Sequence, residues 1–330
     1  MNRAWMCTAL GSDLSGLHLA QLPPLPCGPD QVRVRVRAAA LNFPDLLMAQ
    51  GLYQLKPPLP FVPGMECAGE VVEVGAGVTG LTIGDPICCS MRFGAFAEQI
   101  VADAASLRPL PSGFTLAEGA AYATTALTAW VALLRRGALQ AGETLLVHGA
   151  AGGTGIAAVQ LGRHLGATVI ATGRSAARLQ AARAAGAQHL VVLEPGAANL
   201  REQVLGLTGG AGADVVFDPV GGDVFDATLR CIAWGGRLLV VGFAGGRIAT
   251  LPTNLALIKG FAVIGVRAGE YGRRDPAGGA QNRQAVEALA ARGVFRPHIG
   301  ARFGFDELPD AYRALAGGQV AGKIVIGDQP

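Results

Sequence analysis

Leu145-Leu146-Val147-His148-Gly149-Ala150-Ala151-Gly152-Gly153-Thr154-Gly155 carries a buried apolar run straight into a glycine-rich turn. A helical pattern follows over 155–165. A strand, a glycine turn and a helix in that order make an anion site. The first N–H groups of the helix are free, and the helix dipole favours negative charge there. Side chains would block the approach of a dinucleotide pyrophosphate, so the turn has to be small. The literal G-x-G-x-x-G is absent, because Ala150 stands where the first glycine would be. Gly152 is expected to admit the pyrophosphate, and Gly155 to let the helix pack on the strand. No Gly-Lys-Ser/Thr follows, so this is not the phosphate loop of nucleotide triphosphatases.

Downstream, short apolar runs alternate with helical stretches. Strands are expected at 144–148, 168–172, 189–193, 214–217, 237–243 and 261–266, with helices at 155–165, 176–185, 200–207 and 224–232. Apolar strands alternating with helices mean a parallel sheet covered on both faces. A helix is expected over 116–134 ahead of it. Upstream, the signals are short β runs with proline and glycine punctuation. Residues 31–38 alternate Val and Arg, and 70–75 read Glu-Val-Val-Glu-Val-Gly. That pattern suits a partly open β-barrel, and the Val-Arg alternation reads as a strand with one wet face rather than a nucleic-acid stripe. The tail holds helices at 281–292 and 309–315 and a final strand at 323–326, which is expected to return to the first domain. The expected domains are therefore 1–122 with 268–330, and 123–267.

The bulk numbers agree with a folded two-domain chain. It has 330 residues, 51% hydrophobic and 15% charged, so disorder is excluded. Mean hydropathy is +0.37 and the formal net charge +3. The 48 glycines show no period of three. Met1–Met6 lacks an apolar signal region and no long apolar run reads as a membrane span, so a cytoplasmic protein is expected. The six cysteines form no C-x-x-C pair and read as free thiols. The five histidines are scattered, and His148 reads as a framework histidine rather than a base.

The cofactor can be read from the end of the second strand. A carboxylate there would bond the ribose 2′-OH of NAD and repel a 2′-phosphate. This chain has Ala171-Thr172-Gly173-Arg174-Ser175, with Arg178 one turn on, and no acid. Arg174 would pair with a 2′-phosphate, so the expected cofactor is NADPH.

Further motifs occur in order along the chain. They are Ala40-Leu41-Asn42-Phe43-Pro44-Asp45, Gly51-Leu52-Tyr53, Pro63-Gly64-Met65-Glu66-Cys67-Ala68-Gly69 and Gly94-Ala95-Phe96-Ala97-Glu98. Leu127-Thr128-Ala129-Trp130, Phe217-Asp218-Pro219-Val220-Gly221-Gly222, Gly242-Phe243-Ala244-Gly245-Gly246 and Gly322-Lys323-Ile324-Val325-Ile326 follow. With the glycine turn, they make the whole chain resemble the medium-chain dehydrogenase/reductases, and within them the zinc-independent NADPH:quinone oxidoreductases (zeta-crystallin-like). The resemblance implies an α/β protein: a GroES-like partly open β-barrel domain plus a Rossmann doubly wound parallel sheet of six strands.

The zinc-bearing branch of that superfamily carries Cys-x-x-Asp and Gly-His-Glu where this chain has Asn42-x-x-Asp45 and Gly64-Met65-Glu66. A thiolate and an imidazole are replaced by an amide and a thioether, so no metal is expected. Without a Lewis acid, hydride must go to an acceptor that is already electrophilic. A quinone is implied by the resemblance, and an enone or enoyl thioester is permitted by the chemistry. A rival from another class is a non-catalytic NADPH-binding or RNA-binding protein on the same fold.

Position by position, the resemblance nominates Asn42, Asp45 and Tyr53 as catalytic-pocket residues, with Asp45 equally suited to anchoring its loop. The cofactor set is Thr128, Ala151, Gly152, Gly153, Thr154, Gly155, Thr172, Gly173, Arg174, Arg178, Pro219, Val220, Gly221, Gly242, Phe243, Ala244 and Asn254. The apolar sixth strand at 261–266 would be a bare sheet edge, and pairing with its twin in a homodimer would cover it.

Overall fold

A computed structural model describes residues 1–327 of the chain, so 328–330, which the expected first domain included, lie outside the described residues. The chain divides into two units, Met1–Thr124 with the segment from Ile299 onward, and Thr125–His298.

In the second unit six parallel strands lie side by side. Their order across the sheet is His189–Val192, Thr168–Gly173, Thr144–Val147, Ala213–Asp218, Ile232–Val240 and Ala262–Gly265. Numbered along the chain that order is third, second, first, fourth, fifth, sixth. The connections therefore reverse direction between Thr144–Val147 and Ala213–Asp218, which pair directly. Reversal opens a crevice at the C-terminal strand ends, where ligands bind in sheets of this kind. The strand cores are apolar and fully buried, as double-sided coverage requires: Leu145, Leu146, Val147, Val169, Ile170, Val215 and Val216 are shielded from solvent.

Several boundaries differ from the sequence reading, each for a local reason. The helix expected over 224–232 is Gly222–Thr228, because the Cys231 N–H turns back to the Thr228 carbonyl and the chain enters the fifth strand at Ile232. That strand ends at Val240 rather than 243, because the Val241 and Gly242 N–H groups go to the Asp218 carbonyl. The helix expected over 116–134 is α-helical as Leu116–Trp130 and continues as a π-helix, Val131–Arg136. Helices Phe43–Ala49, Thr253–Lys259 and Ala268–Arg274 were not expected.

The second unit also runs further than the expected boundary at 267. Helix Pro276–Ala291 belongs to it. The buried Asn282 accepts from Trp130 Nε1 at 3.1 Å and from Arg135 Nε at 2.7 Å, which ties that helix to the π-helical segment.

The first unit is built on a sheet in which Ile299–Phe303, Lys323–Gly327, Gln31–Ala40, Glu66–Val74, Pro86–Ser90 and Leu107–Pro109 are successive neighbours. Gln99–Asp103 also pairs with Gln31–Ala40. Alternation sets the two faces of Gln31–Ala40. Val32 and Val34 are fully buried, while Arg33 and Arg37 reach outward to Glu73 and Glu70. The terminal strand Lys323–Gly327 lies antiparallel to Gln31–Ala40, which itself pairs with Glu66–Val74. Three strand ends distant in sequence are thereby adjacent: Ala40 runs on into Asn42, Glu66 opens its strand, and Lys323 opens the last one.

Candidate active site

In the second unit the glycine turn follows Val147 at the reversal point. Helix Gly153–His164 starts there with Gly152 as its N-cap, and its first internal bond runs from the Ile156 N–H to the Gly152 carbonyl at 2.8 Å. The N–H groups of Gly153, Thr154 and Gly155 precede that bond and have no partner within the helix. Gly155 is required by packing: a Cβ there would lie 2.4 Å from the Gly149 oxygen and 2.7 Å from the Ala150 Cα. The Ala150 N–H donates to the Thr172 carbonyl at 3.0 Å, so the second strand holds the turn from beside it.

Thr172 acts through that carbonyl, because its side chain is engaged elsewhere. It is fully buried, and its hydroxyl lies 2.8 Å from His148 Nδ1. His148 Nε2 lies 2.7 Å from the Thr228 hydroxyl. That hydroxyl already donates to the Val224 carbonyl at 2.7 Å, so toward the imidazole it accepts. The ring proton is therefore on Nε2, and Nδ1 accepts from Thr172. Burial pushes the His148 imidazole below its usual pKa, only partly offset by Asp218. His148 is a neutral brace joining the first strand, the second strand and helix Gly222–Thr228.

The loops after the fourth and fifth strands are zipped together. Asp218 Oδ1 accepts from the N–H groups of Val220 and Gly221 at 2.8 and 2.9 Å. The Ala244 and Gly245 N–H groups donate to the carbonyls of Pro219 and Val220 at 3.0 and 2.8 Å. Gly221 has φ +69°, a conformation that suits glycine. Pro219, Val220, Gly221, Gly242, Phe243 and Ala244 thus form one rim. Val220 and Pro219 come within van der Waals range of where a Cβ on Gly149 would stand.

At the end of the second strand Gly173 is followed by an exposed Arg174. Ser175 caps the next helix, accepting from the Arg178 N–H at 3.3 Å. Burial pushes the Arg178 guanidinium pKa down, and the charge of Arg174 adds to the effect. The segment from Ala171 to Arg178 thus carries two neighbouring cations and no carboxylate. Ala151 is buried, Thr128 is half-buried, and Asn254 is exposed on helix Thr253–Lys259.

In the first unit Asn42 caps helix Phe43–Ala49. The Asp45 carboxylate accepts from the Asn42 N–H at 2.8 Å. The Asn42 amide is used differently. Its Nδ2 donates to Glu66 Oε1 at 3.0 Å, and its Oδ1 accepts from Lys323 Nζ at 2.7 Å. Lys323 Nζ also donates to Glu66 Oε1 at 2.8 Å, and Glu66 Oε2 accepts from the Thr124 N–H at 3.0 Å. Asp45 is fully buried, and burial raises its carboxyl pKa to about 7 despite the Asn42 N–H and the Lys323 charge. One ammonium serves two carboxylates here, and Glu66 holds it. Asp45 Oδ1 and the buried Tyr312 hydroxyl have no hydrogen-bond partner among the described residues. Burial raises the Tyr312 pKa well above the usual range, and Asp45 adds to it. Tyr53 is half-buried against the core of this unit.

Sequence reasoning named Asn42, Asp45 and Tyr53 but not Glu66, Lys323, Tyr312 or Asp218. Glu66 and Lys323 stood in motifs already noted. Their pairing carried no signal, because 257 positions separate them.

The family described as "Alcohol dehydrogenase GroES-like domain" matches residues 28–112, and the one described as "Zinc-binding dehydrogenase" matches 153–287. "Quinone oxidoreductase-like protein 2" of Mus musculus is 38% identical over 325 residues, covering 98% of this chain and 91% of that protein. The chain belongs to the medium-chain dehydrogenase/reductase family. Another relative is "Pikromycin polyketide synthase component PikAII" of Streptomyces venezuelae, 36% identical over 305 residues, or 92% of this chain and 8% of that protein. A mycobacterial structure described as complexed with NADPH superimposes with a TM-score of 0.89 at 26% identity, covering 99% of this chain and all of the other. Like other members, this chain is an oxidoreductase with a GroES-like unit and a Rossmann sheet.

The zinc in one family name does not fit the residues present. The Asn42 oxygen and Glu66 Oε1 already face an ammonium, that of Lys323, and Met65 offers only a thioether. No group of three or more His, Cys, Asp or Glu gathers as a metal site among the described residues. A nicotinamide dinucleotide does fit, because the N–H groups of Gly153, Thr154 and Gly155 have no partner within the helix and the N-cap Gly152 puts no side chain in front of them. No helix among the described residues is long and apolar enough to cross a membrane.

Proposed function

We propose that this chain is an NADPH-dependent reductase that delivers hydride to a quinone without a metal. The observation that carries this reading is the open helix start at Gly152–Gly155 beside a second strand that ends in Gly173-Arg174 with no carboxylate. The N–H groups of Gly153, Thr154 and Gly155 hold the pyrophosphate. Arg174, with Arg178 behind it, pairs with the 2′-phosphate. The rim of Pro219, Val220, Gly221, Gly242, Phe243 and Ala244, together with Ala151, Thr128 and Asn254, lines the rest of the cofactor's course.

The nicotinamide, when bound, supplies hydride from C4 of its reduced ring. The chain's own part is to orient and to keep water away. Asn42 and Tyr53 recognise the acceptor oxygen, and Asp45 holds the Asn42 backbone. Reduction of a quinone to a hydroquinone takes one hydride and one proton, and water delivers the proton. A homodimer through the strand Ala262–Gly265 and a cytoplasmic location belong to the same reading.

A second reading keeps the hydride chemistry and changes the acceptor to an activated C=C, in an enone or enoyl thioester. Similarity to a segment of a polyketide synthase component favours it.

The test is NADPH and NADH oxidation with 1,4-benzoquinone, 9,10-phenanthrenequinone, an enone and crotonyl-CoA in parallel. Turnover of a quinone with NADPH is expected. Turnover of the thioester alone replaces the first reading by the second. Arg174→Glu is expected to raise KM for NADPH about 10-fold or more and leave NADH nearly unchanged. An equal change for both removes the basis for NADPH.

A further inference from the structure

Lys323 lies in a motif that the cofactor site does not use, yet it is among the most deeply buried charges of the chain, at 4% exposed. Buried lysines are rare, because desolvating an ammonium is expensive. This one is held by two acceptors, Asn42 Oδ1 at 2.7 Å and Glu66 Oε1 at 2.8 Å. The third side of the triangle is Asn42 Nδ2 donating to Glu66 Oε1 at 3.0 Å.

A carboxamide can ordinarily be turned over at little cost, because its two ends have nearly the same shape. Here they face opposite charges. Rotation by 180° would aim N–H groups at an ammonium and a carbonyl oxygen at a carboxylate. Glu66 is itself fixed through its other oxygen, by the Thr124 N–H at 3.0 Å. The Asn42 backbone is fixed independently by Asp45. The amide therefore has one orientation. Its partners use one of its two N–H groups well, the other making only a 3.5 Å approach to the Ala40 carbonyl, and one of the two lone pairs on Oδ1.

We infer that Lys323 and Glu66 are positioning residues: an internal ion pair that locks the Asn42 amide so that its remaining lone pair and N–H meet the reactants in a fixed direction. This rests on the reductase reading of Asn42 given above. The pair comes from strand ends that only the sheet order makes neighbours. It does the orienting with the chain's own fixed charge, and neither member needs to touch a reactant.

The test compares four proteins: unmodified, Asn42→Ala, Glu66→Gln/Lys323→Met, and the triple variant. Removing both charges together avoids leaving either one buried alone. Each protein is assayed with NADPH and the best acceptor, and kcat and KM are separated. The charge-removed protein is expected to lose kcat about 10- to 100-fold. Its acceptor KM should change far less. The triple variant should lose no more than Asn42→Ala alone, because residues that act through one another are not additive. Losses that multiply, or a charge-removed protein within about 2-fold of the unmodified one, overturn the inference. Where the double substitution lacks the native circular-dichroism spectrum, Glu66→Gln alone is read by the same criterion. Absence of turnover by the unmodified protein with every acceptor overturns the reductase reading, and the positioning role with it. Turnover with multiplying losses overturns the positioning role alone.

Discussion

His148 Nε2 donates to the Thr228 hydroxyl at 2.7 Å, and both side chains are fully buried. The contact fixes a neutral imidazole beside the glycine turn. Because burial lowers the folded-state pKa below the usual 6.5, the unfolded chain binds more protons as pH falls. This contribution to stability is present above about pH 6.5 and declines below it. A urea-denaturation series from pH 8 to pH 5 should show that decline, and His148→Phe should remove its share. His148→Ala should cost about 2–4 kcal/mol through a cavity and a buried Thr172 hydroxyl that loses its acceptor.

Asp45 runs the other way. Its carboxyl pKa is raised from 3.8 to about 7 by burial, so the folded chain binds the extra proton. Its share of stability is greatest at low pH, and it falls as pH rises from about 3.8 to about 7. Asp45→Asn keeps an acceptor for the Asn42 N–H and cannot ionise. The variant should therefore lose less stability than the unmodified chain on passing from pH 5 to pH 8, measured by the same denaturation series.

Gly155→Ala tests the turn itself. The new methyl would meet backbone at 2.4 and 2.7 Å, and backbone cannot swing aside as a flexible side chain does. A lower Tm and about a 10-fold or larger weakening of NADPH binding are expected, read by thermal melts and fluorescence titration. Gly206→Ala, in open space on helix Leu200–Leu207, should leave NADPH binding unchanged.

Among the described residues the edge strand Ala262–Gly265 pairs on one side only, with Ile232–Val240. Around it Trp234, Leu257 and Ile258 are 78%, 82% and 64% exposed. An apolar edge of that kind favours pairing with a second copy. Light scattering at micromolar concentration should give the mass of a dimer, and Val263→Lys with Leu257→Lys should give that of a monomer.

The parallel sheet was legible because each strand is a short apolar run closed by turn residues, and periodicity is a local property. The glycine turn between the first strand and its helix was legible for the same reason, because its small residues are consecutive along the chain. Helix Thr253–Lys259 was missed because Leu255, Ala256, Leu257 and Ile258 form one continuous apolar run, and seven residues are too few to show a helical period. The tail boundary was missed because Asn282 joins the second unit through Trp130 and Arg135, a contact without local trace.

The sequence by itself determined the two kinds of unit, the glycine turn after the first strand of the parallel sheet, the Gly173-Arg174 end of the second strand without an acid, and the amide and thioether at Asn42 and Met65. Those are statements about neighbours along the chain. Only the tertiary structure decided what Asn42 does with its amide, which proton His148 carries and why Lys323 is buried. Each of those depends on partners brought together by sheet order, and a hydrogen bond acts over about 3 Å of space whatever the separation in sequence.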